Sequence, residues 1–162
     1  MTPEGWLTEP EADALRRHAK GRCLEVGTAY GRSASVLAPL VDTLWCVDPH
    51  DTFNTWGEFL RWLTEADVRN VIPIRAKFED ATGLLPSGFD FAFIDGCHKY
   101  ESVRSDLTRA AMGCPLIALH DFGYVAYPGV RQAVEEFLAA NPKWSMVDQG
   151  GMIAVLKRKI TL

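Results

Sequence analysis

"LEVGTAYGRS", Leu24 to Ser33, joins an apolar run to a corner in which Gly27 and Gly31 stand four residues apart. Glycine-rich corners of this kind let the backbone approach a ligand and leave N–H groups free at the start of a helix. A tight structural turn is the simpler alternative. We expect Gly27 to lack a Cβ that would block a ligand, and Gly31 to let the following helix begin close to the sheet.

The spacing of the glycines discriminates among nucleotide ligands. Dinucleotide-binding loops have G-x-G-x-x-G, and phosphate-binding loops have Gly-Lys followed by Ser or Thr; this corner has neither pattern. It is Glu25-x-Gly27-x-x-x-Gly31, and Asp48 closes the next apolar run, where a carboxylate can accept both hydroxyls of a ribose. The sequence therefore favours a nucleoside without phosphates and disfavours an NAD-dependent oxidoreductase.

Short apolar runs alternate with longer amphipathic runs, which is typical of βαβ units around a parallel sheet. The predicted strands are RCLEV (22–26), TLWCVD (43–48), VIPIR (71–75), FDFAFID (89–95), PLIALHD (115–121) and two more within KWSMVDQGGMIAVLKR (143–158), which Gly150-Gly151 turns into a hairpin. The sequence predicts an α/β fold: a three-layer, Rossmann-like, doubly wound sheet of seven strands, mostly parallel, with a C-terminal antiparallel hairpin. We expect one domain over residues 1–162, with an N-terminal helix in 1–20, a core in 21–142 and the hairpin in 143–162. A capping box, Thr8 with Glu11, is expected to start the N-terminal helix.

Composition limits the partners. The chain has 162 residues, a formal net charge of −4 and a pI near 5.5, which disfavours nucleic acid as the main partner. The basic cluster LKRKI (156–160) is predicted to keep a sheet edge soluble. Four cysteines without a C-x-x-C pair disfavour a zinc knuckle. We expect no signal peptide, no membrane span and a cytoplasmic location.

The corner, Asp48 and the closing hairpin together resemble the class I S-adenosylmethionine-dependent methyltransferases. The resemblance implies S-adenosyl-L-methionine as the cofactor. It also implies a set of cofactor-binding residues: Glu25, Gly27, Thr28, Tyr30, Gly31, Ser33, Asp48, Phe78 and Asp95.

A second motif, FIDGCHKYESVRSDL (93–107), narrows the resemblance. It is similar to the Ile-Asp-Gly-x-His-x-Tyr-Glu pattern of small-molecule O-methyltransferases that include sugar methyltransferases, the methyltransferase family 24. ALHDF (118–122) and PGVRQAVEEF (128–137) match the next block of that branch, so the resemblance spans roughly residues 21–144. It implies an enzyme that methylates a hydroxyl of a small molecule, with a sugar or glycosylated metabolite as a candidate acceptor.

Acidic and imidazole side chains follow the fourth and fifth predicted strands. Asp95 and Asp121 would end neighbouring strands ~4.8 Å apart, close enough to share a hard cation such as Mg²⁺. Such a cation lowers the pKa of a bound hydroxyl, and His98 can then take its proton as general base. Asp95 and His98 are therefore the predicted catalytic residues, and Asp95, Asp121 and His120 the predicted metal ligands. The sugar enzymes have an acidic pair at the place of His120-Asp121, and an imidazole makes that site softer.

Several alternatives stay open at this point. Asp95 can simply cap a turn, His98 can make an ordinary loop hydrogen bond, and His120 can be a satisfied core imidazole. The enzyme can also be a metal-independent methyltransferase, or the chain a catalytically inactive cofactor-binding or regulatory module. Tyr124 and Tyr127 are candidates for a substrate wall, and a homodimer that closes the pocket is a further expectation.

Overall fold

One mixed sheet organises the chain, in the order β3-β2-β1-β4-β5-β7-β6. The computed structural model describes residues 2–51 and 55–159, so residues 160–162 of the predicted hairpin segment lie outside the described residues. Strands β1 to β5 are parallel, and β7 runs antiparallel to both β5 and β6. The predicted seven-stranded α/β sheet with its antiparallel hairpin is confirmed.

The strands have the following bounds: β1 Arg22–Val26, β2 Thr43–Asp48, β3 Val71–Arg75, β4 Phe91–Ile94, β5 Leu116–Leu119, β6 Trp144–Gly150 and β7 Ile153–Arg158. The α-helices are α1 Glu9–His18, α2 Arg32–Leu37, α3 Trp56–Glu65, α4 Phe78–Ala81, α5 Tyr100–Gly113 and α6 Pro128–Ala140. Short 3₁₀ turns at Ala38–Leu40 and Thr82–Leu84 extend α2 and α4.

Helices cover both faces of the sheet. Apolar residues of α1, α2 and α3 pack on one face, and those of α4, α5 and α6 pack on the other. Burial on both faces explains why β4 and β5 read as continuous apolar runs, with every residue of FAFI and LIAL buried. The predicted capping box is present, since the Thr8 backbone N–H donates to Glu11 Oε2 at 2.8 Å.

The fourth and fifth strands are shorter than predicted. The ladder between β4 and β5 stops at Ile94 and Leu119, so Asp95, His120 and Asp121 lie just beyond it. The chain turns sharply there, because Asp121 has a left-handed φ of 59°. These polar residues therefore stand on loops at the carboxyl edge of the sheet rather than inside strands.

The prediction for the basic cluster at 156–160 is wrong. The strand β7 lies between β5 and β6, so the outer strands are β3 and β6. One of the cluster's cations, Arg158, instead lies 5.8 Å from the Trp144 ring centroid on the neighbouring strand. The second strand of the hairpin inserts between β5 and β6, which the order of the strands in the sequence does not show.

The strand order reverses between β1 and β4, since β2 and β3 lie on one side of β1 and β4 and β5 on the other. Ligands of doubly wound sheets bind at the carboxyl ends of the strands at this reversal. The predicted site residues other than Phe78 lie on or next to the loops after β1, β2, β4 and β5. Within residues 2–51 and 55–159, no helix combines the length and the apolar character that crossing a bilayer requires.

Candidate active site

The two glycines of the corner have structural reasons that differ from those predicted. Gly27 has a φ of 90°, and a Cβ on it would overlap the carbonyl oxygen of Asp95. Gly31, at the N-cap of α2, has a φ of 95°, and a Cβ there would lie 2.8 Å from the Phe59 ring. The corner therefore needs glycine so that β1 and β4 approach and α3 packs against it. Contacts within the protein already require glycine at position 27, and ligand clearance there stays a prediction.

Glu25 lies beneath the corner and is fully buried. Its Oε2 accepts hydrogen bonds from Thr28 Oγ1 at 2.9 Å and from Cys46 Sγ at 3.2 Å, while Oε1 has no partner among the described residues. Burial raises the pKa of Glu25 to about 7. In this structure Glu25 shapes the corner through Thr28, and its direct contact with a cofactor stays a prediction.

Asp48 is held at the mouth of the corner by two backbone groups. Its Oδ2 accepts the Ala29 N–H at 2.9 Å and its Oδ1 accepts the His50 N–H at 2.6 Å. Both donors have left-handed backbones, with φ of 47° and 52°. Each carboxylate oxygen retains a further acceptor position, and the side chain is partly exposed, as a ribose ligand requires.

The other predicted cofactor residues are distributed around this corner. Thr28 and Ser33 are buried within it, and Tyr30 is half-buried. Phe78 is different, because its ring is buried in the apolar layer under α4, α5 and α6. Asp95 adjoins the corner directly, since its N–H donates to Val26 O at 2.7 Å.

The structure brings Asp95, His98, His120 and Asp121 into one cluster, which we call the charged cluster. His98 Nε2 lies 2.8 Å from Asp121 Oδ2 and 3.6 Å from Asp95 Oδ1. His120 Nδ1 lies 3.4 Å from Asp95 Oδ1 and 3.3 Å from Asp121 Oδ2. The predicted convergence of the loops after β4 and β5 is therefore present.

The carboxylates and imidazoles of the charged cluster shift one another's pKa values. Contacts with Asp121 and then Asp95 raise the pKa of His98 to about 9. Burial opposes the charge on His120, but Asp121, Asp95 and Glu11 outweigh it and raise the pKa of His120 to about 9. Burial likewise opposes the charge on Asp121, and the two imidazoles overcome it and hold its pKa well below the usual range. Because both pKa values lie above 7, both imidazoles are positively charged at neutral pH. His98 must therefore release a proton before it can act as a base.

Three side chains of the cluster fit a divalent cation. Asp95, His120 and Asp121 each offer one ligand atom, and these atoms lie within 4.8 Å of one another. His120 is buried, yet neither ring nitrogen has a well-aligned hydrogen bond within the described part of the chain. A metal ion bound to a ring nitrogen would supply the partner that this buried imidazole lacks. Two carboxylates and an imidazole suit Mn²⁺ better than Mg²⁺, which prefers oxygen ligands.

An aromatic wall stands beside the cluster. The Tyr127 ring stacks on the His98 ring with centroids 4.2 Å apart and planes 6° apart. Tyr124 meets Tyr127 edge to face at 5.2 Å, and both tyrosines are exposed. This loop lies where the sequence predicts a substrate wall, and the neighbouring Cys97 is also exposed.

One residue at the cluster was missed in the sequence. Glu11 Oε2 lies 3.4 Å from His120 Nε2, and its side chain is almost entirely buried. The capping-box signal that marks Glu11 explains the start of α1 and gives no indication that α1 reaches the carboxyl edge of the sheet. Only the tertiary packing of α1 shows that proximity.

Comparison with known proteins agrees with this geometry. A family profile described as a methyltransferase domain, methyltransferase family 24, matches residues 24–115. No curated protein matches the chain.

Solved structures with the same fold include enzymes of different substrates. The O-methyltransferase TomG from Streptomyces achromogenes, which is involved in tomaymycin synthesis and was solved with S-adenosylmethionine, is 18% identical with a TM-score of 0.75, over 95% of this chain and 82% of that one. An O-methyltransferase from Bacillus cereus, solved with S-adenosylhomocysteine, is 17% identical with a TM-score of 0.77, over 98% and 84%. An rRNA methylase from Streptococcus thermophilus is 12% identical with a TM-score of 0.72, over 96% and 100%.

The profile covers more than half of the chain, including the glycine corner and the Ile-Asp-Gly-x-His-x-Tyr-Glu motif. The identities to the solved structures are low, so those structures establish the fold alone. Their fold is the one predicted from the alternation of strands and helices. The chain therefore belongs to the methyltransferase family 24.

Proposed function

We propose that this enzyme transfers a methyl group from S-adenosylmethionine to a hydroxyl of a small molecule, assisted by a divalent metal. The observation that carries the proposal is the contact between Gly27 and the Asp95 carbonyl. This contact makes the glycine corner and the charged cluster adjacent parts of one edge. A nucleoside held in the corner therefore presents its reactive end to the cluster.

The corner supports the cofactor assignment. Asp48 is fixed by two backbone N–H groups and keeps free acceptor positions for the two ribose hydroxyls. The corner has no phosphate-binding pattern, which suits S-adenosylmethionine, a nucleoside without phosphates. TomG and the Bacillus cereus enzyme, which share the fold, were solved with this cofactor or its product.

The chemistry requires three groups on one line. The acceptor oxygen forms a bond to the methyl carbon as the bond from that carbon to sulfur breaks, leaving S-adenosylhomocysteine. Placing the oxygen, carbon and sulfur in line is the main contribution that a binding site can make. The hydroxyl proton passes to His98, once His98 has released its own proton, or to water.

The metal would be held by Asp95, His120 and Asp121. When bound, a divalent cation lowers the pKa of a hydroxyl that it coordinates, so that the oxygen becomes a better nucleophile. The orphaned ring nitrogens of His120 are the observation in this chain that supports the assignment. His98, through its 2.8 Å contact with Asp121, sits beside the place where the acceptor would lie.

A small acceptor is favoured over RNA, although one structural neighbour is an rRNA methylase. A net charge of −4 opposes a polyanion, since phosphate contacts require clustered Lys and Arg. The exposed wall of Tyr124 and Tyr127 offers ring faces instead, which suit the apolar face of a sugar or a planar group. We therefore propose a sugar or glycosylated metabolite as the acceptor class.

Calorimetry with S-adenosylmethionine and S-adenosylhomocysteine tests the cofactor assignment. We expect saturable binding of both, and at least about tenfold weaker binding by Asp48→Asn, because a charged acceptor for the ribose is lost. The matched control is Asp42→Asn, whose carboxylate is exposed away from the corner. Folded protein that binds neither compound at millimolar concentration would overturn the proposal.

Transfer of a labelled methyl group to a panel of sugars, glycosides and ribosomal RNA tests the acceptor class. We expect label in a sugar or glycoside, and label in the RNA alone would contradict the proposal. Asp95→Ala and His98→Ala should abolish transfer, whereas wild-type rates in both variants would remove the assigned chemistry.

One observation favours a metal-independent mechanism as the second candidate. His98 Nε2 lies 2.8 Å from Asp121 Oδ2, and a base formed by an imidazole and a carboxylate needs no metal, so His98 can act alone. Exhaustive chelation followed by Mn²⁺ addition separates the two. Loss and recovery of methyl transfer supports the metal, and unchanged transfer supports His98 alone.

A further inference from the structure

The carboxylate of Glu11 is buried, and its role in the helix cap does not require that burial. Glu9, on the same turn of α1, leaves 68% of its side chain in water and pairs only with Arg16 among the described residues. Glu11 leaves 3% of its side chain exposed. A charged group is buried at high cost unless polar partners surround it, so its partners indicate its role.

Glu11 is held by Thr8, its partner in the capping box, and by a turn that is distant in the chain. Thr8 donates to Oε2 through its backbone N–H at 2.8 Å and its hydroxyl at 2.7 Å, and the Met152 N–H at the β6–β7 turn donates to Oε1 at 3.1 Å. Gly151 packs so closely that a Cβ on it would lie 2.8 Å from Glu11 Cγ. These contacts fix the orientation of the Glu11 carboxylate independently of His120.

His120 has its two ring nitrogens in different surroundings. Nε2 faces Glu11 Oε2 at 3.4 Å, and Nδ1 faces Asp95 and Asp121. The Phe93 ring meets the imidazole edge to face at 6.2 Å, which fixes the ring plane. A histidine that binds a metal through one nitrogen commonly donates the other N–H to a carboxylate, which fixes its tautomer.

We propose that Glu11 is a positioning residue of the charged cluster, which holds a proton on His120 Nε2 and so leaves Nδ1 facing Asp95 and Asp121 as a ligand. The inference rests on the proposed metal-assisted function. It adds the N-terminal helix, which lies outside the span of the family profile, to the active site.

Glu11→Gln is the test, because glutamine also serves at this position of a capping box and so keeps the helix start. Without the carboxylate, the two aspartates draw the imidazole proton to Nδ1 and block the ligand position. We expect about a tenfold or greater loss of Mn²⁺ affinity by calorimetry with the metal alone. In ¹⁵N spectra of the metal-free protein at about pH 10, above the pKa of His120, where the ring carries a single proton, we expect the His120 Nε2–H signal of the wild type to disappear.

Glu9→Gln is the matched control, since it removes one negative charge from the same helix turn while the side chain faces water. It should leave both the affinity and the spectrum unchanged. Glu11→Gln is repeated in a His120→Asp background, where no imidazole is left to orient. There the loss of affinity should shrink to the small loss that follows from removing a nearby negative charge, because no imidazole is left to orient.

The outcomes separate the two proposals. Wild-type protein without Mn²⁺ affinity would overturn the metal-assisted function, and the ring-nitrogen signal would still test Glu11. A folded Glu11→Gln protein that keeps the Nε2–H signal and the affinity for Mn²⁺ would overturn the role of Glu11. An equal loss of affinity in the His120→Asp background would do the same, because it would show that Glu11 acts by charge alone.

Discussion

The glycine corner and the charged cluster form one edge of the sheet, but they are built differently. The corner, Leu24 to Ser33, is made of consecutive residues whose backbone conformations and close packing define its shape. The charged cluster takes its members from two loops, and Glu11 contacts it from a helix more than eighty residues earlier in the chain. The corner depends on backbone sterics, and the cluster depends on the balance of opposite charges.

This difference predicts how each region fails. A substitution in the corner disturbs backbone packing and should reduce the stability of the whole fold. A substitution in the charged cluster leaves the backbone in place and should reduce metal binding or methyl transfer. Each variant below is paired with a control variant to test this difference.

Gly27→Ala should have the largest effect. Its φ of 90° and the overlap of a new Cβ with the Asp95 carbonyl predict a loss of about 4 kcal/mol or more in the free energy of unfolding. Gly57→Ala is the control, because a Cβ there meets no atom within 4 Å among the described residues. Urea denaturation should show the control equal to or slightly more stable than wild type. A Gly27→Ala protein of wild-type stability would show that the corner does not depend on sterics.

Glu25→Gln should change the pH dependence of stability. The folded state holds a proton on Glu25 up to a pKa of about 7, whereas the unfolded chain releases it near 4.5. The stability of the wild type therefore falls as pH rises from 4.5 to 7, and the loss is complete above 7. The shift corresponds to about 3 kcal/mol.

Denaturation at pH 5 and pH 8 measures this effect. Relative to wild type, Glu25→Gln should gain stability at pH 8 but not at pH 5. The exposed Glu65→Gln should show no such difference between the two pH values. A parallel profile for Glu25→Gln and wild type would mean that Glu25 is charged when buried.

Asp121→Asn should separate function from stability. Asparagine tolerates the left-handed φ of 59°, so the backbone is preserved while the charge that faces both imidazoles is lost. We expect about a 100-fold loss in kcat/KM for the acceptor that the panel identifies, together with weaker Mn²⁺ binding. Exposed Asp80→Asn is the matched control and should keep wild-type values. Retained kcat/KM in Asp121→Asn would remove Asp121 from the mechanism.

Tyr127→Leu should have the smallest effect of the four. It removes the ring that stacks on His98 at 4.2 Å and should lower kcat/KM about fivefold, since an aromatic contact contributes about 1 kcal/mol. Tyr127→Phe keeps the ring and should keep the rate. Equal losses in both variants would point to the hydroxyl instead of the stack.

Local pattern was sufficient for much of the fold. The predicted bounds of β1, β2 and β3 agree with the structure, and turn-forming residues mark the ends of β1, before Gly27, and β2, before Pro49. The ends of β4 and β5 were placed too late, since polar residues after a buried strand continue its register in sequence but leave the ladder in space. The basic cluster at 156–160 was wrongly placed at a sheet edge, because strand order across the hairpin is a tertiary property.

Prediction of the site residues was limited in the same way, because a local pattern does not show contacts between distant residues. Asp95, His98, His120 and Asp121 were predicted as candidates, and they do lie together. Phe78 was predicted at the cofactor but has its ring in the apolar layer. The sequence identified Glu11 only as part of a capping box. The local pattern of Thr8 and Glu11 already explains this residue without any distant contact.

The amino-acid sequence by itself determined the alternation of strands and helices, the glycine corner and the acids that follow the strands. These features follow from periodicity, from backbone conformation and from the chemistry of single side chains, all of which act over a few residues. The tertiary structure alone decided which strand is outermost, why Gly27 cannot carry a Cβ, and that α1 brings Glu11 to His120. Those facts depend on which distant surfaces meet, and contacts between distant segments are set by the packing of both faces of the sheet.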